Sequence, residues 1–173
     1  MTPNGNGGPG GLFALKMPPM LGIEQKAPEF TLPDQDGKDV TLTGLLKDGP
    51  VILYFYPADF TPGCTREACD FRDLHGRILG SGLRIVGVSP QSPASHARFR
   101  AKHALPFTLL SDVDKSVTRA YGVDGPLGIG VRRATFLLAP DRRIEDAVLA
   151  DLRIARHQDF VARAVAAREG RAV

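Results

Sequence analysis

Apolar residues along this chain fall into short unbroken runs and longer periodic stretches, and the way the two alternate sets the order of elements. Val51-Ile-Leu-Tyr-Phe-Tyr56 is a continuous β-branched and aromatic run, the pattern of a strand covered on both faces at the centre of a sheet. Cys64, Ala68, Phe71, Leu74 and Ile78 then recur close to one face at helical spacing, predicting an amphipathic helix from about Pro62 to Leu79. Leu83 to Val88 reads as a second strand. The strand-helix-strand succession implies a right-handed crossover, which makes those two strands parallel.

Ser92-Pro93 opens another helix, running to about His103, with Pro at the first helical position where its missing N–H is no loss. A short strand over Thr108 to Leu110, a helix from about Asp114 to Tyr121 and a Gly-rich loop to Gly130 follow. Ala134 to Ala139 and Arg143 to Leu149 flank Pro140-Asp141-Arg142 and predict an antiparallel hairpin, with a last helix from about Arg156 to Glu169. Upstream, Ala27 to Phe30 is an extended segment followed by a turn at Asp34-Gln-Asp-Gly37. The whole is an α/β chain with a mixed central sheet flanked by helices, in a thioredoxin-like order.

Length and composition refine this picture only modestly. With 173 residues, 43% of them hydrophobic, the chain supports one domain with a sizeable core. Residues 1–20 form a Gly/Pro-rich tail that buries too little apolar area to offset the entropy of ordering it, and residues 21–173 form the domain. The patch Leu12 to Leu15 is too short for a signal-peptide core, so a cytoplasmic protein without a membrane segment is expected. The net charge of +3 is interspersed, which argues against nucleic acid, although Arg132-Arg133 and Arg142-Arg143 form two basic doublets.

Two cysteines make no secreted disulfide scaffold, so their role has to come from context. Pro57-Ala-Asp-Phe-Thr-Pro-Gly-Cys64 leaves the carboxyl end of the central strand and enters the next helix, where open α/β sheets place their sites. Thr61 fits the N-cap and Pro62 the first helical position, so Cys64 falls in the first turn beside unpaired backbone N–H groups. Those donors and the positive end of the helix dipole favour the nucleophilic thiolate, while an apolar stripe favours the thiol. A nearby cation would tip the balance; without one, Cys64 is an inert core thiol.

The segment resembles the peroxiredoxins, whose active-site pattern Pro57, Thr61 and Cys64 match in register, and Tyr54 to Asp73 is similar in particular to the Q-type, or bacterioferritin-comigratory, subfamily. Similarity continues through Gly87-Val-Ser89, Leu105-Pro-Phe107, Ala120-Tyr-Gly-Val123 and Arg133-Ala-Thr-Phe136, covering about residues 21 to 165. The resemblance implies a peroxidase that reduces hydrogen peroxide and organic hydroperoxides with no metal or organic cofactor. It implies that Cys64 attacks peroxide, Thr61 binds it, Pro57 shields the pocket, and Arg133 supplies the cation. Glu67 is a candidate to orient the arginine, and Phe60 and Leu127 are candidates to shape the pocket.

The resemblance also makes Cys69 the resolving thiol, forming a disulfide with Cys64 that thioredoxin or a similar dithiol reductant reopens, in a protein that acts as a monomer. Five residues of intact helix rise about 7.5 Å, beyond the disulfide Cα limit near ~7 Å, so the helix must unwind for the bond to close. His75, His96, His103 and His157 show no ligand spacing, which leaves them surface or capping roles. Two rivals stand beside the peroxidase: a disulfide reductase, which wants Cys-x-x-Cys, and a non-enzymatic redox-sensing or chaperone-like partner on the same fold.

Overall fold

In a computed structural model that describes residues 19–171, five strands form the central sheet in the order β5-β4-β3-β6-β7. The central strand β3 (Val51–Phe55) pairs in parallel with β4 (Arg84–Ser89), which pairs in parallel with β5 (Thr108–Ser111). On its other side β3 pairs antiparallel with β6 (Ala134–Leu138), which pairs antiparallel with β7 (Ile144–Leu149). All five residues of β3 are buried, as its unbroken apolar run requires of a strand covered on both faces.

Because side chains alternate across a strand, β3 feeds two cores. Ile52, Tyr54 and the following Tyr56 pack with Phe71 and Ile78 of α2 (Pro62–Gly80), Phe99 of α3 (Pro93–His103) and Phe160 and Val161 of α5 (Ala155–Glu169). Val51, Leu53 and Phe55 pack on the opposite face with Leu42 and Leu46 of α1 (Leu42–Leu46), Val117 of α4 (Ser116–Ala120), and Tyr121. Phe71 is fully buried, and its truncation to Ala should cost about 3–5 kcal/mol.

Several boundaries differ from the sequence expectations, each for a local reason. The predicted tail, residues 1–20, lies outside the described residues except for Pro19, which is exposed, and Met20, which packs against the core. A Cβ on Gly122, which has φ +68°, would come within 2.2 Å of Pro19 O, and Leu21 N–H donates to Tyr121 O at 3.1 Å. The extended segment near Phe30 becomes β1 (Thr31–Pro33), turned by Asp34, whose Oδ1 accepts from the N–H groups of Asp36 and Lys38, into β2 (Asp39–Thr41). The sequence reading missed α1, which Thr41 caps by accepting from Gly44 N–H at 3.0 Å.

The predicted hairpin forms, but Arg142 rather than a glycine takes the left-handed turn conformation, at φ +70°. Asp141 Oδ1 accepts from Arg143 N–H at 3.0 Å, which steadies this turn. The helix expected from Asp114 begins at Ser116, because Lys115 takes the left-handed conformation at the N-cap, while Asp114 accepts Ser116 N–H and Asp112 accepts the N–H groups of Val117 and Thr118.

Candidate active site

The carboxyl ends of the parallel strands leave Tyr56 and the loop 57–61 at the rim of the sheet, and α2 starts there. Thr61 occupies the N-cap and Pro62 the first helical position, as the sequence predicts. The Thr61 hydroxyl, however, does not cap: it donates to Ala58 O at 3.2 Å. The first helical hydrogen bond runs from Thr65 N–H to Thr61 O at 2.9 Å, so the N–H groups of Gly63 and Cys64 have no intrahelical acceptor. Gly63 leaves room for close approach: a Cβ there would lie 3.0 Å from Ile154 Cδ1 and 3.4 Å from Arg133 Nη2, so both side chains would have to shift slightly.

Cys64 is buried, at 1% exposure, within the α2 stripe, and the missing cation is present. Arg133, immediately before β6, donates from Nη2 to Cys64 Sγ at 3.3 Å and from Nη1 to Glu67 Oε2. Successive residues point to opposite sides, so Arg132 turns outward to Asp151 Oδ2 at 3.0 Å. Asp151 also accepts Arg133 N–H at 2.9 Å, fixing the backbone from which the inward arginine projects. The second basic doublet is likewise paired, Arg142 with Glu29 and Arg143 with Glu24.

Glu67 is as buried as the sulfur. Burial raises its carboxyl to about 7 against the downward pull of the Arg133 guanidinium. For Arg133, burial opposes the charge, but Glu67 and Cys64 together raise it above its ordinary value. Among the described residues, Glu67 Oε1 and Arg133 Nε have no hydrogen-bond partner.

Two histidines assigned to surface or capping roles are in fact fully buried. His157 Nε2 lies 3.0 Å from Ala150 O and must donate there, so Nδ1 accepts from the Thr135 hydroxyl at 2.8 Å. Its Nδ1 is 3.9 Å from Glu67 Oε1, and burial pushes the imidazole below its ordinary value. His96 joins Asp59 upstream of the cysteine. Neither could be found from hydrophobic periodicity, because both are polar residues on inward helix faces. Among the described residues no group of three or more His, Cys, Asp or Glu side chains comes together as a metal-ligand set.

A cleft of about 440 Å³ opens beside the site, lined by Pro57, Pro126, Ile129, Val131, Arg132 and Arg133, among others. Phe60 and Leu127, the expected pocket residues, do not line it. Phe60 packs on Phe99 with ring centroids 5.3 Å apart, and Leu127 is 71% exposed. Lys115 shapes the cleft wall from behind: its Nζ donates to Asp124 Oδ1 at 2.8 Å and to Gly128 O, tying down the Gly-rich loop. Cys69 is half-buried on the same unbroken helix, and both thiols are free.

A first-turn cysteine touched by a buried arginine, on a thioredoxin-type sheet, defines a class of thiol-based redox proteins. The sequence profile of the AhpC/TSA family matches residues 23–147. The chain belongs to this family of thiol-dependent peroxidases, on its peroxiredoxin Q branch. It is 47% identical over 122 residues to a putative peroxiredoxin bcp of Coxiella burnetii, covering 67% of this chain and 80% of that protein. It is 48% identical over 112 residues to the chloroplastic peroxiredoxin Q of Gentiana triflora, a match that covers 64% of this chain and about half, 51%, of that longer protein. Peroxidoxin BcpB of Mycobacterium tuberculosis superposes with a TM-score of 0.80 at 37% identity, covering 85% of this chain and 97% of that one. No helix among the described residues is long and apolar enough to cross a membrane.

Proposed function

We propose that Cys64 reduces hydrogen peroxide and organic hydroperoxides and that Cys69 resolves the product. The observation that carries this proposal is the 3.3 Å contact between Arg133 Nη2 and Cys64 Sγ in the first turn of α2. A guanidinium and unpaired amides stabilise a buried sulfur as the thiolate, the nucleophilic form. The thiolate attacks one peroxide oxygen, the O–O bond breaks, and the leaving alkoxide or hydroxide takes up a proton. The sulfur is oxidised to sulfenic acid and the peroxide is reduced to an alcohol or water.

Other residues take positions consistent with holding the substrate in line. A Thr61 hydroxyl that donates to Ala58 O keeps its lone pairs to accept from the peroxide O–H. Glu67 aims Arg133, and Pro57 walls the cleft against water. The apolar wall of Pro126, Ile129 and Val131 suits an organic tail.

The sulfenic acid then condenses with Cys69, forming the S–S bond and releasing water, once the helix between them unwinds. A dithiol protein of the thioredoxin type reopens the disulfide, becoming oxidised itself, and the enzyme works as a cytoplasmic monomer. Peptide mapping after one turnover with hydrogen peroxide tests the scheme: a Cys64–Cys69 bridge is expected. Cys69→Ser should keep the first turnover, lose recycling by thioredoxin and over-oxidise more readily at Cys64. Equal recycling in that variant overturns the resolving role, and sedimentation of reduced and oxidised protein tests the monomer.

A further inference from the structure

Apart from the cluster around Cys64, another buried polar assembly lies just upstream, centred on Asp59. Its Oδ1 accepts from the Tyr56 hydroxyl at 2.6 Å, and its Oδ2 accepts from the Ser95 hydroxyl at 2.7 Å and from His96 Nδ1 at 2.8 Å. The other ring nitrogen, His96 Nε2, faces Leu110 O at 3.1 Å. Both ring nitrogens thus face oxygen atoms, Nδ1 the Asp59 carboxylate and the Tyr56 hydroxyl (3.3 Å), Nε2 the Leu110 carbonyl. The Asp59 and His96 side chains have no solvent exposure. Burial opposes the Asp59 charge, but hydrogen bonds from His96, Tyr56 and Ser95 hold its carboxyl below the ordinary value.

A buried polar pair is weak evidence for stability, because apolar side chains of similar volume serve a core as well or better. Its location points to another purpose. The assembly joins the end of β3, the loop 57–61, the first turn of α3 and the strand β5. That loop carries Phe60 in the left-handed conformation, at φ +62°, a strained position for a non-glycine residue that persists where its surroundings over-determine it. The next residues are Thr61 and the first turn of α2.

We infer that Asp59 and His96 are positioning residues for the peroxide reaction: they clamp the loop 57–61 to α3 and β5, so that Thr61 and Cys64 keep their register against Arg133. The clamp fixes the edge of the site upstream of Cys64, and the unwinding that joins Cys64 to Cys69 is confined to the side beyond it. This inference rests on the peroxidase function proposed above.

Rapid mixing of the full-length protein with hydrogen peroxide separates two steps, second-order oxidation of Cys64 and first-order closure of the disulfide. In Asp59→Asn and in His96→Gln, oxidation should slow by ~10-fold or more, the effect of a small misplacement of reacting groups, with closure unchanged or faster. Tyr56→Phe and Ser95→Ala each remove one donor from Asp59 and should slow oxidation about two- to fivefold; they decide the matter if the first pair does not fold. Wild-type oxidation rates in folded variants overturn the inference, as does equal slowing of both steps, the mark of general loosening. If wild-type protein itself leaves peroxide unconsumed, it is the peroxidase function that fails instead.

Discussion

On one side of the loop that follows β3, Asp59 accepts from three donors and both nitrogens of His96 face an acceptor. On the other side, Arg133 divides its guanidinium between Cys64 and Glu67, while its Nε and Glu67 Oε1 have no partner among the described residues. Both clusters are buried and charged, and both touch the segment that carries the cysteine. They differ in completeness. A fully satisfied network fixes geometry, whereas an incompletely satisfied one gives up about 1–3 kcal/mol for each stranded group. Such a loss is tolerated where donors are aimed at a reacting atom rather than at each other.

The largest expected effect comes from the incomplete cluster. Arg133→Gln removes the cation at Cys64 and should lower the rate constant for peroxide oxidation by ~10²-fold or more, read by stopped-flow fluorescence or competition with a reference peroxidase. An unchanged rate would make the two clusters equivalent scaffolds.

Next comes the pH dependence of stability. Burial raises Glu67 to about 7, from an ordinary value of 4.5, so between those values the folded protein binds more protons than the unfolded chain. Stability from this group is therefore greatest below the ordinary carboxylate range and falls as pH rises toward about 7. Urea unfolding at pH 5 and pH 8 should show wild type losing up to ~3 kcal/mol relative to Glu67→Gln. Parallel pH profiles for the two proteins would mean that the Arg133 guanidinium keeps Glu67 ionised throughout.

The smallest effect is expected behind Glu67. Thr135→Val keeps shape but removes the hydroxyl that donates to His157, and should cost about 1 kcal/mol in denaturant unfolding while leaving peroxide oxidation within about threefold of wild type. A much larger rate loss would extend the reactive cluster to the α5 layer.

The contrast between the clusters also explains what was legible in the sequence. The β3 run, the α2 stripe and the Thr61-Pro62-Gly63-Cys64 entry carry local signals, of period, capping and breaker chemistry, and each falls where expected. Alternation along the strand lets only one of Arg132 and Arg133 face Cys64, and the family resemblance, through the register of Arg133-Ala-Thr-Phe136, singled out Arg133. The Asp59–His96 pair spans 37 residues of sequence, and α3 turns Ser95 and His96 inward together with Phe99. A helix that buries polar residues has no apolar stripe to reveal its inner face, so His96 read as surface. Phe60 misled for the opposite reason: an aromatic beside the motif suggests a pocket wall, yet its ring is taken up by Phe99 and His103. The α1 turn was too short for periodicity, and only the Thr41 cap marks it.

Everything above depends on Cys64 being the atom that takes oxygen from the peroxide, with Arg133 in place beside it. The direct measurement mixes Cys69→Ser protein with one equivalent of hydrogen peroxide at neutral pH and follows the product by intact and fragment mass. One added oxygen on Cys64, formed orders of magnitude faster than free cysteine is oxidised, is the predicted result. Oxidation no faster than free cysteine, or oxygen arriving at a different residue, would contradict it.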